Sequence, residues 1–220
     1  MEHILGVAMK DYKDFFLLKG LSEDEISSVI NCFEEPKHFS KGEIIYSEKN
    51  FYNAIGYIIK GKVRAITNNK NGIVIKTFSD GMSFGVAALF GEEKSYVSTL
   101  AAESDCVIQF VSEQTLKSIF ERFPKTAINY ITFLSERVRF LNKKLGIISC
   151  SSARDKVLKY LIETADEGGQ LSLPENISFL AKSLGIGRTS FYRSIEELES
   201  KGIIAKENNI IRVNDYEKIC

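Results

Sequence analysis

The run from Pro124 to about Ile148 limits what this chain can fold into more than any other segment. It has no second proline and no glycine before Gly146, so nothing interrupts a helix once Pro124 has opened the first turn. Ala127, Ile131, Leu134, Val138, Leu141, Leu145 and Ile148 alternate steps of four and three, which keeps one apolar seam in register over about three heptads. Glu136, Arg137, Arg139, Asn142, Lys143 and Lys144 fill much of the remaining surface, so this helix cannot be buried all round. A rod with one apolar edge needs a partner. The seam packs either on the chain's own globular part or against a second copy. The narrow a/d pattern, unlike the wider stripe of a core-facing helix, favours a parallel two-stranded coil and hence a homodimer.

Before the rod the texture changes. From Phe39 to Val111 short apolar runs are punctuated by glycines at 42, 56, 61, 72, 81, 85 and 91, as expected of a small rolled sheet with repeated tight corners. KVRAIT and GIVIKTF flank the turn NNKNG and carry β-branched residues in partial alternation, which predicts a hairpin. Cys106 to Val111 reads as a further strand. Upstream, LSEDEISSVINCF reads as a short amphipathic helix capped by Ser22.

After the rod comes a second compact core. Val157, Leu158, Leu161 and Ile162 mark a helix that ends before the turn-like DEGGQ. Asn176 then stands where an N-cap belongs, followed by Ile177, Leu180, Ala181 and Leu184 at helical spacing. Gly185, Ile186 and Gly187 make a tight turn. A further helix places Phe191, Ile195 and Leu198 on one face, with Thr189, Tyr192, Arg193 and Glu196 turned away from it. This is a helix-turn-helix, and GIIAK and NIIRV beyond it predict a hairpin wing. Such a second helix reads base edges from its first turns, where polar and cationic side chains are needed. Arg188, Thr189, Ser190 and Arg193 supply them, with Lys182 and Tyr192 beside them; Arg188 and Arg193 take the larger roles. The 220 residues therefore divide as 1–123, a β-rich domain with its N-terminal helix, 124–149, the dimerisation helix, and 150–220, the DNA-binding domain.

Charge bears on this assignment. Lys+Arg and Asp+Glu are both 29, so bulk attraction to nucleic acid is absent. From Ser151 onward there are ten basic and eleven acidic residues, 10 − 11 = −1, so DNA affinity must come from one face that gathers Lys182, Arg188, Arg193 and Lys201. No apolar run approaches the roughly 20 residues of a membrane span and the N-terminus lacks a basic segment before an apolar stretch, so a cytoplasmic protein is expected, with no membrane partner. Cys32, Cys106, Cys150 and Cys220 form no CxxC pair, and His3 and His38 are too few for a histidine metal centre, so no metal ligands and no catalytic residues are assigned.

The order of parts resembles the transcription factors typified by the cyclic AMP receptor protein and the fumarate-nitrate reduction regulator, the Crp/Fnr family. FSKGEIIYSEKN followed by IGYIIKGKVRAIT is similar to that family's β-roll opening, DGMSFGVAALFG to its ligand-loop segment, and SFLAKSLGIGRTSFYRSIEELESKGII to its helix-turn-helix and wing. The resemblance implies an α+β fold: an N-terminal cyclic-nucleotide-binding-like β-roll (a double-stranded β-helix or jelly roll), a long dimerisation helix and a C-terminal winged helix-turn-helix. It implies a dimer on a palindromic operator in double-stranded DNA, with RNA polymerase as a further candidate partner, and a small effector sensed in the roll. Cyclic-nucleotide binders carry a Glu after the ligand-loop glycine and an Arg followed by Ser or Thr for the phosphate. Here those places hold Val86, Tyr96 and Val97, which argues against cyclic AMP.

The cysteine spacing does not match an iron-sulfur sensor, and the histidine count argues against haem. The candidate effector pocket is Phe84, Gly85, Val86, Tyr96 and Ser98, with Arg137 approaching from the long helix; ordinary core packing is the competing reading of the same residues. Its ligand would be small and mostly apolar, with one anionic group for Arg137. Cys150, beside the junction of rod and DNA domain, is a candidate redox thiol or a helix-end buried one. Thr189 stands where the commonest family version has an acidic residue, so an operator of the family's symmetry but a different base sequence is expected. Two other functions compete: a ligand-binding module that acts on a protein partner without DNA, and a cupin-type enzyme, which two separated histidines argue against.

Overall fold

The computed structural model describes residues 9–47, 53–67, 74–91 and 98–214. The chain forms two compact units whose boundary in sequence lies between Ser135 and Glu136. In the first unit two 3-10 turns, Met9–Tyr12 and Phe16–Leu18, precede helix α1 (Glu23–Ile30). Ser22 caps α1 in a reciprocal box with Glu25, as the sequence predicts. The strands follow: β1 (Lys37–Phe39), β2 (Ile44–Tyr46), β3 (Ala54–Lys60), β4 (Val63–Thr67), β5 (Val74–Phe78), β6 (Ser83–Phe84), β7 (Ser98–Ala102) and β8 (Cys106–Ser112).

These strands form two four-stranded antiparallel sheets, ordered β1-β8-β3-β6 and β2-β7-β4-β5. The expected hairpin is β4 with β5, registered from Val63 opposite Phe78 to Ile66 opposite Val74; its NNKNG turn lies outside the described residues. Period-two alternation turns Cys106, Ile108 and Phe110 of β8 into the space between the sheets, where they meet Tyr46, Ile58, Val63, Phe84 and Leu100. Packing there is tight. A Cβ on Gly56 would stand 2.1 Å from the Phe84 ring, so only glycine lets that ring close over β3.

Helix α2 (Glu113–Arg122), which the sequence reading did not contain, leads into α3 (Pro124–Ile148), the predicted rod. A second core lies between the roll and the helices and gathers Tyr12, Phe15, Leu17, Tyr57, Val111, Leu116, Ile119 and Tyr130. Its polar atoms are matched. The Tyr12 hydroxyl donates to Gln109 Oε1 at 2.8 Å, and Gln109 Nε2 donates to the carbonyls of Glu34 and Phe110 at 2.9 Å, which satisfies a fully buried amide. The first turns of α3 dock here. Asn129 Nδ2 donates to the Leu17 and Lys19 carbonyls at 2.8 Å, and Phe16 stacks on Phe133 at 4.2 Å.

The second unit contains the last turns of α3, then α4 (Ala153–Thr164), β9 (Gln170–Ser172), α5 (Ile177–Ser183), α6 (Arg188–Ser200), β10 (Ile204–Glu207) and β11 (Ile210–Val213). One core joins Ile147, Val157, Leu161, Leu180, Ala181, Leu184, Phe191, Ile195, Leu198 and Ile211. The predicted wing is a three-stranded antiparallel sheet, β10-β11-β9, its third strand again unforeseen.

Candidate nucleic-acid interface and effector region

The turn between α5 and α6 is built by backbone chemistry. Asn176 Oδ1 accepts from the Phe179 amide at 3.0 Å, the predicted N-cap of α5. At the other end Gly185 has φ +68, and the amides of Gly185 and Ile186 donate to the carbonyls of Lys182 and Ala181, the double closure that ends a helix on a left-handed glycine. Helix α6 starts at Arg188, after an N-cap Gly187 that offers no side-chain cap.

Burial then sorts the faces of α6. Phe191, Ser194, Ile195 and Leu198 are buried, while Arg188, Thr189, Arg193 and Glu196 are exposed. Arg188 lies 5.7 Å above the Tyr192 ring, a cation–π pair one turn apart. Ser190 is half-buried and its carbonyl accepts from Ser194 Oγ at 2.8 Å, so its hydroxyl is less prominent than its neighbours. Lys182 is exposed on α5. One acidic residue behind the sequence's charge problem is neutralised. Glu197 accepts from Lys201 Nζ at 2.6 Å and Arg154 Nη1 at 3.3 Å, and the Lys201 hydrogen bond holds its carboxyl below the ordinary range. This ties α4 to α6. Glu196 stays on the outward face, one turn from Arg193. The same periodicity that selects Arg193 selects Glu196, which belongs among the candidate contacts because a carboxylate accepts from cytosine N4.

Along α3, Ile128 and Ile131 in the first unit and Val138, Leu141, Leu145 and Ile148 in the second are between 44% and 60% exposed, an apolar edge without cover among the described residues. Two predicted seam residues differ. Ala127 is half-buried, and Leu134 packs against the core shared by the roll and the helices. Ile128 joins the open edge instead.

Of the predicted effector residues, Phe84 and Val86 are not brought together. Phe84 sits between the sheets with Tyr46, Phe78 and Phe110 at ring distances of 5.7, 6.0 and 6.3 Å. Val86 belongs to the other core, and its carbonyl accepts from the Tyr130 hydroxyl at 2.7 Å. Gly85 between them has φ +78. Ser98 is half-buried opposite Thr67, Arg137 lies exposed in the second unit, and Tyr96 lies outside the described residues. Among the described residues no three His, Cys, Asp or Glu side chains gather as metal ligands. Cys150 is half-buried and its thiol donates to the Gly146 carbonyl at 3.4 Å; Cys220 lies outside the described residues. No helix among them is long and apolar enough to cross a membrane.

Residues 36–123 match the cyclic nucleotide-binding domain family, and residues 156–204 match a helix-turn-helix domain family. The cyclic AMP receptor protein of Thermus thermophilus is 22% identical over 201 residues, covering 90% of this chain and 92% of that one, so both modules align in one order. In module content and order the chain is similar to the Crp/Fnr transcription regulators. Its fold is seen in the crystal structure of the Thermus thermophilus catabolite activator protein, with TM-score 0.57 and 21% identity over 93% of this chain and 96% of that one. The cGMP-dependent protein kinase 2 of Mus musculus is 25% identical over 81% of this chain, which spans a quarter of the kinase's length.

Aromatic rings line the space between the sheets, and Val86, after the left-handed Gly85, belongs to the other core.

Proposed function

We propose that this protein is a homodimeric, sequence-specific DNA-binding regulator of transcription in the cytoplasm, gated by a small effector other than cyclic AMP. In this reading residues 1–123 sense, 124–149 dimerise and relay, and 150–220 bind DNA. The carrying observation is the outward face of α6, where Thr189 and Arg193 project one turn apart beyond a buried Phe191, Ile195 and Leu198 anchor. Arg193 bidentate to a guanine would discriminate by about 1–3 kcal/mol, while Lys182 on a phosphate would position without reading. The open edge of α3 supports pairing of two copies and so two reading helices.

Duplex retention across a salt series tests this. Binding that weakens steeply with added salt, and more for some sequences than others, is expected. A protein that ignores duplex DNA at low salt is instead the protein-partner module.

A further inference from the structure

The second unit contains a cavity of about 380 Å³ between the last turns of α3, α4 and α5. Its apolar lining includes Phe140, Ile147, Tyr160, Phe179 and Leu184, a size and character within the range of small-molecule sites. Ile147 and Leu184 are buried at its base, whereas Phe179 is 69% exposed at its rim. Phe179 stands on a seven-residue helix whose Ile177, Leu180 and Ala181 already supply the core contacts. Its ring therefore has no role in holding the fold.

Ile148, the last residue of the open edge, also borders the cavity. At 100° per residue, Phe140, Lys143 and Ile147 lie roughly 150° around α3 from the line of Ile131, Val138 and Leu145, so the cavity's Phe140 side faces away from most of that edge. Charge at the rim indicates what would enter. Lys143 is held by Glu163 at 3.1 Å, while Lys144 has no ion pair among the described residues. One cation is left beside an apolar cleft with two exposed phenyl rings.

We infer that this cavity is a binding site for a small amphipathic anion, its apolar body between Phe140 and Phe179 and its acidic group at Lys144. Resting on the regulator reading above, the site is an effector site of the protein, placed in the DNA-binding unit. A ligand there bridges the end of α3 to Ser183 and Leu184, immediately before the Gly185 turn that aims α6.

The test is fluorescence titration of the full chain, without DNA, by two probes: 8-anilinonaphthalene-1-sulfonate and its uncharged analogue N-phenyl-1-naphthylamine. Saturable binding of one probe per chain is expected. Phe179→Ala, at an exposed position, should weaken both probes at least tenfold with an unchanged circular dichroism spectrum. Lys144→Gln should weaken the sulfonate at least threefold and leave the neutral probe unchanged. Absence of saturable binding, wild-type binding by Phe179→Ala, or equal effects of Lys144→Gln on the two probes would each overturn the site. The sulfonate should also change duplex retention at least threefold, and a bound probe that leaves retention unchanged overturns the effector role. A chain that retains no duplex at all defeats the regulator reading, while the titration still decides the cavity.

Discussion

Truncating Leu141 to alanine tests the dimer edge quantitatively. In the single chain Leu141 is 55% exposed, so a partner helix has about half of its surface left to cover. Full burial of a leucine stabilises by about 1.5–3 kcal/mol, so half of that, removed from both copies of a symmetric dimer, comes to about 1.5–3 kcal/mol. That corresponds to a dimer Kd about 10- to 150-fold weaker. The effect should be visible because docking two copies itself costs about 4–15 kcal/mol, which leaves a single seam little surplus. Sedimentation equilibrium over a dilution series measures the Kd directly. The fold of each copy should be unaffected, because the side chain makes no core contact in the single chain. A Leu141→Ala dimer as tight as wild type would refute the assignment of this edge to self-association.

Arg193→Ala should lower discrimination between operator and random duplex by about 1–3 kcal/mol while leaving dimerisation intact; equal weakening across all sequences in competition assays would make Arg193 a phosphate contact. Gly56→Ala adds a methyl 2.1 Å from the Phe84 ring, and overpacking of this kind costs about 1–3 kcal/mol; an unchanged melting temperature would contradict the tight roll interior. Burial pushes the phenols of Tyr12, Tyr57 and Tyr130 up to about 12. Because the unfolded chain releases these protons near pH 10, their contribution is complete below that pH and is lost as the pH rises through about 12. Circular dichroism should fall together with the rise of tyrosinate absorbance in that window, and full ionisation near pH 10 with the fold intact would count against it.

Much of this architecture was legible because it is written locally. Pro124 and the four-three spacing mark α3, the β-branched runs around NNKNG mark β4 and β5, and Asn176 and Gly185 bracket α5 with a cap and a left-handed stop. What escaped was set by tertiary contact. Helix α2 has few apolar side chains, and its Leu116 and Ile119 are recognisable as core only once the second core is assembled around them. Strand β9 is three residues held by pairing with β11. The spacing of Leu134 marks it for the seam, but periodicity carries no record that the roll is also available to cover the first half of α3. Phe84 and Val86 part for a definite reason. Residues two apart in an extended strand share a face, but the left-handed backbone at Gly85 breaks that rule and sends Phe84 and Val86 into different cores. The exposure of Arg188, Thr189 and Arg193 on α6 follows from helical periodicity, whereas the clasp of Arg154 and Lys201 on Glu197 joins residues up to 43 positions apart and has no local signature.

Selection of bound sequences from a pool of random duplexes by the full chain tests the regulator reading most directly. The account predicts enrichment of a two-fold symmetric site, two half-sites about one helical turn apart, with a base sequence that differs from the usual family palindrome because Thr189 replaces an acidic residue. Recovery of the usual palindrome would contradict the role given to Thr189. Enrichment of no symmetric site would contradict paired major-groove recognition altogether.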